Sequence, residues 1–392
     1  MQARKRIAVL TGGGDVPGLN AVIKSVVYGA TGTGDYEVVG IRRGWMGLTH
    51  ANLEDGFDPE FVLPLDRENT RRIDRTGGTF LHTSRTNPSR VRVDQLPSHV
   101  QIRLGSLKEI EPGVVDLTPI VLENLQRLGI DNLLTIGGDD TLSYSYMLHN
   151  AGFPVLGVPK TMDNDVRGTE YCIGFSTALT RAVDAVRRQR TTVGSHERIG
   201  IFRIFGRDAG FTALYTAYVT SIRCCIPECP FDVDDLINVL VTDKKNNPSR
   251  YSLIVLSEGA TWVGRHVEEY GEADAYGHRK KINVAEAFSD EVKRRAGQET
   301  IVSDLAYDLR SGSPDFLDKM IAYTFATMAV ECIADGRGGR MMAIRNGRYT
   351  DVDIPDPSLG PRRVDVATMY NRQRFRPNYH GKQDLPVFLT RA

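Results

Sequence analysis

Residues 6–30 read RIAVLTGGGDVPGLNAVIKSVVYGA, and this stretch decides the fold class. Its first part, Arg6–Leu10, predicts a buried strand, Thr11–Gly18 predicts a turn, and Asn20–Ala30 predicts a helix. Pro17 suits the first helical position, where its missing N–H group costs nothing. A strand, a glycine-rich turn and a helix in this order are typical of an α/β protein.

The same unit recurs along the chain. Further strands are predicted at Glu37–Arg42, Asn132–Ile136, Pro154–Val158, Arg198–Phe205 and Tyr251–Leu256, and further helices from Thr141, from Phe175 and over Phe316–Ala334. Because strands alternate with helices, we expect mostly parallel sheets that are covered by helices on both faces. The fold class predicted from this pattern is α/β.

Length and composition indicate two lobes of a globular protein. The chain has 392 residues, which suits two lobes better than one ordinary domain, and 41% of them are apolar and 25% charged. Lys plus Arg equals Asp plus Glu, 49 against 49, so no global field favours nucleic acid or a membrane surface. We therefore expect neither as a partner.

The N-terminus and the cysteines indicate a cytoplasmic protein. The opening residues MQARKRIAVL lack the apolar stretch and small-residue cleavage site of a signal peptide. No apolar run approaches the roughly 20 residues that a membrane-spanning helix needs. The five cysteines show no zinc-ligand spacing, so buried or reduced thiols are expected.

The first turn, Thr11-Gly12-Gly13-Gly14-Asp15, leaves several interpretations open. Glycines let a ligand approach the backbone, and a following helix N-terminus supplies N–H groups for an anion. A dinucleotide site or a plain tight turn would fit as well. The dinucleotide interpretation is the weaker one, because the next strand ends in Arg42 and Arg43 where a ribose-binding acid is needed.

Two later turns carry carboxylates. Gly137-Gly138-Asp139-Asp140-Thr141 follows one predicted strand, and Pro159–Asp165 (PKTMDND) follows the next. Acids at a helix start could be simple caps. Four carboxylates and Lys160 on neighbouring strand ends exceed what capping requires. Phosphoryl transfer needs this equipment, namely a carboxylate for Mg²⁺, a base for the attacking hydroxyl and cations for the phosphate oxygens.

Taken together, the motifs resemble the phosphofructokinase family. They are Thr11–Asn20 (TGGGDVPGLN), Gly77–Pro88 (GGTFLHTSRTNP), Gly137–Thr141 (GGDDT), Pro159–Asp165 (PKTMDND), Phe205–Gly210 (FGRDAG) and Ser257–Ala260 (SEGA). The resemblance runs from about residue 6 to about residue 345 and implies two Rossmann-like, three-layer lobes with the active site in the cleft between them. We expect residues 1–174 with 309–350 to form the larger, donor-binding lobe and residues 175–308 the smaller, sugar-phosphate-binding lobe. Residues 351–392 are expected to be a tail that wraps the surface.

The resemblance also implies a role for each matched residue. Asp163 would be the general base at the sugar 1-hydroxyl, Asp139 would hold Mg²⁺ through water, and Thr161 and Asp165 would support the site and contact the transferring group. The donor phosphates would meet Gly13, Arg85, Asp140 and Lys160. The sugar phosphate would meet Thr161, Asp163, Arg198, Phe205, Gly206, Arg207, Glu258, Tyr307 and Arg310. Arg198 would complete a neighbouring subunit's site, which implies a homodimer or homotetramer.

Two positions favour pyrophosphate over ATP as the phosphoryl donor. ATP-using relatives typically have glycine where this chain has Asp140, which leaves room for the nucleotide's α-phosphate. A carboxylate about 4 Å from a phosphate would cost about 4 kcal/mol at an effective dielectric near 20. Lys160 also replaces a glycine and would place an ammonium group at the pyrophosphate oxygens. The pair resembles the pyrophosphate-dependent branch, whose reaction is reversible.

Three positions depart from the family pattern and bear on the acceptor. Phe205 replaces a methionine, Tyr307 replaces a histidine, and Ile301 stands where many relatives place an arginine on the sugar phosphate. Fructose 6-phosphate is the expected acceptor, with a larger phosphosugar such as sedoheptulose 7-phosphate as the alternative. The alternatives for the whole protein are an ATP-dependent 6-phosphofructokinase, a relative of the NAD or lipid kinases, and a catalytically dead regulatory subunit.

Overall fold

The computed structural model describes residues 4–32, 34–54, 56–264, 269–270, 280–281 and 283–381. The strands of this described part are β1 (Lys5–Thr11), β2 (Tyr36–Ile41), β3 (Val62–Leu65), β4 (Val91–Arg92), β5 (Lys108–Glu111), β6 (Val114–Asp116), β7 (Asn132–Gly137), β8 (Val155–Pro159), β9 (Ile199–Ile204), β10 (Arg223–Cys225), β11 (Ser252–Ser257), β12 (Glu269–Tyr270), β13 (Lys280–Lys281), β14 (Thr300–Asp304), β15 (Arg340–Arg345), β16 (Arg348–Asp353), β17 (Tyr370–Asn371) and β18 (Arg376–Pro377).

The helices of the same residues alternate with these strands through most of the chain. They are α1 (Leu19–Gly32), α2 (Trp45–His50), α3 (Ser98–Gln101), α4 (Thr118–Arg127), α5 (Asp139–Asn150), α6 (Phe175–Ser195), α7 (Phe211–Thr220), α8 (Val233–Asn246), α9 (Val284–Ala296), α10 (Ala306–Arg310), α11 (Phe316–Ala334) and α12 (Val366–Met369). Short 3-10 turns lie at Ile73–Arg75, Val93–Gln95, Leu104–Ser106 and Pro357–Leu359.

A seven-stranded sheet forms the larger part of the molecule. Its order is β16-β15-β8-β7-β1-β2-β3, with parallel pairing except at the edge strands β3 and β16. From β1 the chain moves outward to β2, whereas from β7 it moves in the other direction to β8. The strand order therefore reverses between β1 and β7. Open α/β sheets bind their ligands at the carboxyl ends of the strands at such a reversal.

A second, four-stranded sheet has the order β10-β11-β9-β14 and is parallel throughout. The long helix α6 leads from the large sheet into this second sheet, and α11 leads back from it to β15. The carboxyl ends of β9 and β11 carry the segments Phe205–Gly210 and Glu258–Ala260. Each sheet thus contributes its own set of strand ends to a site.

Alternating side chains of β1 show why the fold has three layers. Ile7 and Val9 pack into a core with α1, α6 and α11, whereas Ala8 and Leu10 pack on the other face with α4 and α5. Both faces of the large sheet are therefore covered. The first of these cores continues to Phe202 of β9, so it reaches both sheets. The predicted α/β fold with mostly parallel sheets is confirmed.

Most predicted elements are present with ends shifted by one or two residues. The helix predicted over Phe316–Ala334 is confirmed with the same bounds. Helix α5 begins at Asp139 rather than at Thr141, because Gly138 is the N-cap and the two acids occupy the first turn. Acids are favoured there by the positive end of the helix dipole. The small antiparallel sheet of β4, β5 and β6 was not predicted.

All five cysteines are free thiols, and four of them are buried, as expected. Among the described residues, no helix has the length and apolar character required to cross a membrane.

Candidate active site

The turns after β1 and β7 touch each other through one side chain. A Cβ atom on Gly12 would lie 2.5 Å from Thr141 Oγ1, and a Cβ on Gly137 would also collide with Thr141. Glycine is therefore required at both positions, because Thr141 fills the space that a side chain would need. This contact brings the glycine-rich turn Gly12–Gly14 beside the first turn of α5.

The segment Gly77–Pro88 is fastened to the first turn. Gly13 N–H donates to the Ser84 carbonyl at 3.0 Å, and the Thr83 hydroxyl donates to the Gly13 carbonyl at 2.6 Å. Arg85, a predicted donor ligand, directly follows this junction. The N–H group of Gly13 is thus already used within the protein. What Gly13 contributes is the space left by its missing side chain.

Lys160 occupies that space. Its side chain is only 4% exposed, and its Nζ lies 3.0 Å from the position that a Cβ on Gly13 would take and 3.8 Å from that on Gly138. Burial, followed by the nearby Arg310 guanidinium, lowers the pKa of Lys160 to about 8, with Asp140 acting in the opposite direction. At neutral pH, Lys160 is therefore a buried cation between two glycine-rich turns.

Asp163 and Asp165 follow β8, the strand that lies next to β7 in the large sheet. The Asp163 N–H donates to Thr161 Oγ1 at 3.1 Å, and the Arg207 N–H approaches Asp163 Oδ2 at 3.5 Å. Burial raises the pKa of Asp163 well above its usual range, and the neighbouring Asp165 and Glu258 add to that rise. The pKa of Asp165 is also raised, chiefly by burial. When both are ionised, these carboxylates carry more negative charge than the surrounding residues compensate.

Asp139 is a further carboxylate of this negatively charged group. Burial, followed by repulsion from Asp165 and Asp140, raises its pKa to about 6, although Arg207 opposes the rise. The described residues contain no group of three or more His, Cys, Asp or Glu side chains arranged to hold a metal. Mg²⁺ needs no such cage, since it binds through one or two carboxylates and completes its shell with water and phosphate oxygens. An uncompensated Asp139 fits that mode of binding.

Replacing Asp139 by Asn should stabilise the metal-free protein. A shift from 3.8 to about 6 means that the ionised carboxyl opposes folding above pH 6, whereas below pH 4 it is protonated in both states and Asn gains nothing. After allowance for partial solvent screening, we expect the Asn variant to be more stable by about 1 kcal/mol at pH 7.5. Urea unfolding in EDTA measures this difference.

The control is Asp184→Asn, on the exposed face of α6, where the side chain is 61% exposed. This change should alter the stability by less than about 0.5 kcal/mol. Added Mg²⁺ should reduce the advantage of Asp139→Asn. A loss of stability in Asp139→Asn at pH 7.5 in EDTA would contradict the excess negative charge inferred for the site.

The ends of β9 and β11 are tied together on the other side of the cleft. Gly206 has φ of 122°, a region that favours glycine, and its carbonyl accepts from the Gly259 N–H at 3.0 Å. Glu258, the first residue after β11, forms an ion pair with Arg203 at 3.1 Å. Arg203 also pairs with Asp304 at 2.7 Å. Glu258 is therefore held in place before any ligand binds.

Arg310 reaches across to the first turn. Its Nη1 lies 3.6 Å from Asp15 Oδ1, and a Cβ on Gly14 would lie 2.6 Å from that same nitrogen. The guanidinium packs on the rings of Phe205, at 4.8 Å, and Tyr307, at 5.7 Å. Arg310 is a predicted ligand of the sugar phosphate, and the structure places its guanidinium over the glycine-rich turn.

Arg207 and Arg198 lie at opposite ends of β9. Arg207 follows the carboxyl end and pairs with Asp208 at 2.9 Å. Arg198 precedes the amino end, about 20 Å away for a strand of this length. Ile301 lies beside that same amino end, because it pairs with Gly200. Within one chain, the fold therefore does not bring Arg198 to Arg207 and the other predicted residues at the carboxyl end of β9.

Three residues of this site were not predicted. Asp15 and Asp208 stand inside motifs that were recognised, but no role was assigned to them. Arg203 lies two residues before Phe205, so strand alternation places both side chains on the same face and could have indicated it. Its ion pairs with two other strands' ends arise only from the tertiary fold.

Comparison with known proteins agrees with this geometry. The family model "Phosphofructokinase" matches residues 6–333. The chain is 36% identical to a pyrophosphate–fructose 6-phosphate 1-phosphotransferase of Amycolatopsis methanolica, over 93% of this chain and 99% of that protein. It is 35% identical to ATP-dependent 6-phosphofructokinase 3 of Streptomyces coelicolor, over 89% of this chain and 92% of that protein.

A solved structure shares the fold. The pyrophosphate-dependent phosphofructokinase of Marinobacter aquaeolei superposes with a TM-score of 0.73 at 18% identity, covering 98% of this chain and 90% of that chain. The sequence that carries these acids, the buried lysine and the arginines matches the phosphofructokinase family model, and its fold is that of a solved phosphofructokinase. The chain belongs to the phosphofructokinase family.

Proposed function

We propose that this enzyme transfers a phosphoryl group from pyrophosphate to the 1-hydroxyl of fructose 6-phosphate, giving fructose 1,6-bisphosphate and orthophosphate, and that it does so reversibly. The observation that carries the choice of donor is the Asp140 carboxylate in the first turn of α5, beside the buried Lys160 ammonium between the turns at Gly13 and Gly138. A fixed cation at that point matches the compact charge of pyrophosphate. Donor and product then have similar transfer potential, so the reaction runs in both directions.

The carboxylate of Asp140 supports the same donor. It lies in the first turn of α5 and interacts electrostatically with Lys160 and Arg207. A nucleotide would bring its α-phosphate to this region in addition to the two phosphates that pyrophosphate has. Asp140 opposes that extra charge, while Lys160 and Arg85 bind the two phosphates that both donors share.

The proposed chemistry assigns Asp163 as the base. As the 1-hydroxyl oxygen attacks the terminal phosphorus of the donor, its proton passes to Asp163 and the bond to the leaving phosphate breaks. The Arg207 N–H approaches this carboxylate, while Thr161 accepts from the backbone N–H of Asp163 and so fixes the loop that carries it. A base whose pKa is raised by burial accepts a proton more effectively than an ordinary carboxylate does. Arg207 also offers its guanidinium to the transferring group.

The residues around the proposed acceptor are preorganised. Glu258 is fixed by Arg203 and would accept hydrogen bonds from sugar hydroxyls, while Phe205 forms the apolar wall. Gly206 leaves room for the sugar next to Asp163. Arg310 lies between this group and the first turn, where it would neutralise phosphate charge from either substrate.

Mg²⁺ is the proposed metal, held by Asp139 through water, with Asp165 close enough to share its charge. When bound, it would neutralise the donor phosphates and the developing charge on them. The raised pKa of Asp139 supports this assignment, since a nearby cation would remove the excess negative charge.

The proposal extends to assembly and location. Arg198 would complete the sugar-phosphate site of a second copy, because its own site lies at the far end of β9. This implies a homodimer or homotetramer. The proposed location of the enzyme is the cytoplasm. The lobe around the large sheet would bind the donor, and the lobe around the second sheet would bind the sugar.

ATP is the alternative donor, favoured by the name of the Streptomyces coelicolor relative at 35% identity. The reverse reaction separates the two. Fructose 1,6-bisphosphate, orthophosphate and Mg²⁺ supplied without any nucleotide should yield fructose 6-phosphate and pyrophosphate, detected by coupled reduction of NADP⁺. An ATP-dependent enzyme needs ADP for this direction. Product that forms only when ADP is added would contradict the proposal.

A further inference from the structure

Arg362 lies in the tail, 9 residues after β16 ends at Asp353 and beyond the residues that match the family model. Its side chain is nevertheless buried, with 5% exposure. A buried guanidinium is costly unless carbonyls or carboxylates receive its N–H groups. The groups that contact the Arg362 side chain therefore indicate its role.

Those neighbours are the backbone of the catalytic loop. The backbone N–H of Arg362 donates to the Asp165 carbonyl at 2.6 Å. Its Nη2 donates to the carbonyl of Asn164 and lies 3.4 Å from that of Glu170. The guanidinium also packs on the Phe211 ring at 4.4 Å. One tail residue thus contacts the loop between Asp163 and Asp165 from behind.

The loop needs such support. Asn164 stands between the two aspartates with φ of 54°, a left-handed conformation that non-glycine residues seldom adopt. Its side-chain amide donates to the Glu170 carbonyl at 3.0 Å, and its oxygen accepts from the Cys172 N–H at 2.8 Å. Backbone conformations of this kind persist only where the surroundings hold them. Arg362 holds the Asn164 carbonyl directly.

We propose that Arg362 is a positioning residue for phosphoryl transfer, which fixes the Asp163–Asp165 loop so that the Asp163 carboxylate meets the attacking hydroxyl. This inference rests on the proposed role of Asp163 as base, but it is independent of the donor. Arg362 lies behind the loop and acts through it. Its loss should therefore slow the chemical step while leaving substrate binding nearly unchanged.

The test compares Arg362→Ala and Arg362→Lys with Arg363→Ala, in which the neighbouring exposed arginine is removed. The full chain is used, with kcat and KM measured for each substrate and thermal unfolding recorded for each variant. We expect Arg362→Ala to lose kcat about 30- to 100-fold, since displacing a reacting group by 1 Å costs about that much. Both KM values should stay within about threefold. Arg363→Ala should behave as wild type.

Two further readouts distinguish positioning from a general loss of structure. Arg362→Lys keeps the charge but cannot donate from a planar fork, so its kcat should fall by about 10-fold with unchanged KM. Millimolar guanidinium chloride should restore part of the kcat of Arg362→Ala, because the ion fits the vacated space against Phe211. If Arg362→Ala does not fold, the kcat of Arg362→Lys decides the question.

Wild-type kcat in Arg362→Lys, or equal losses in Arg363→Ala, would overturn the inference. So would a loss that appears only as raised KM. If ATP rather than pyrophosphate proves to be the donor, the Arg362 variants should lose kcat with ATP by the same factors. Failure of the proposed donor is therefore distinguishable from failure of the positioning role.

Discussion

Replacing Asp163 by Asn should lower kcat about 1,000-fold, with the KM of each substrate within about threefold of wild type. Asn keeps the size of the side chain and can still accept from the Arg207 N–H, but it cannot take the proton of the attacking hydroxyl. The donor and sugar contacts of the other residues stay in place, so binding persists. Steady-state kinetics in both directions measure the change.

The pH profile gives this prediction a second readout. Because the pKa of Asp163 is raised, a growing share of the carboxylate is protonated as the pH falls, and only the deprotonated form acts as base. Wild-type kcat should therefore decline on the acid side, and Asp163→Asn should lose the part of that decline that protonation of Asp163 causes. Asp184→Asn serves as the surface control. A residual kcat within tenfold of wild type would exclude Asp163 as the base.

Replacing Asp140 by Gly should raise the use of ATP. Full Coulomb repulsion between two unit charges 4 Å apart, about 4 kcal/mol at an effective dielectric of 20, corresponds to roughly 1,000-fold. The cations Lys160 and Arg207 interact with the same carboxylate and weaken its effect. We therefore expect kcat/KM for ATP to rise about 10- to 100-fold, and kcat/KM for pyrophosphate to change less.

Two companion variants separate the effect of the Asp140 charge from the effect of the Asp140 side-chain volume. Asp140→Asn removes the charge at almost constant volume, so it should give most of the gain if repulsion is the cause. Asp140→Gly combined with Lys160→Gly should also weaken pyrophosphate, because the buried ammonium is lost. Competition between the two donors in one assay reports both changes. ATP use that stays flat in all three variants would show that Asp140 does not select the donor.

The turns and their acids could be predicted from the sequence because their roles are local. A glycine-rich turn between a strand and a helix, or a pair of acids at a helix start, needs only near neighbours. The helix Phe316–Ala334 was predicted with its bounds for the same reason. Parallel strands then place the separate turns at one edge of the sheet, so adjacency of Asp139 and Asp163 followed from topology.

Other parts of the site depend on contacts between distant segments. The Arg310 guanidinium lies over Gly14, although nearly 300 residues separate them, and the Gly13 N–H donates to the Ser84 carbonyl. No local pattern indicates either contact. The tail lacks periodicity, so no sequence pattern indicates Arg362, and only its burial beside Asp165 reveals it.

The donor is the central claim, and one comparison tests it most directly. Purified wild-type enzyme, with saturating fructose 6-phosphate and Mg²⁺, is given pyrophosphate or ATP over a range of concentrations, and fructose 1,6-bisphosphate is measured. We expect kcat/KM for pyrophosphate to exceed that for ATP by at least about 100-fold, as a buried Lys160 beside Asp140 implies. A clear preference for ATP would contradict the account.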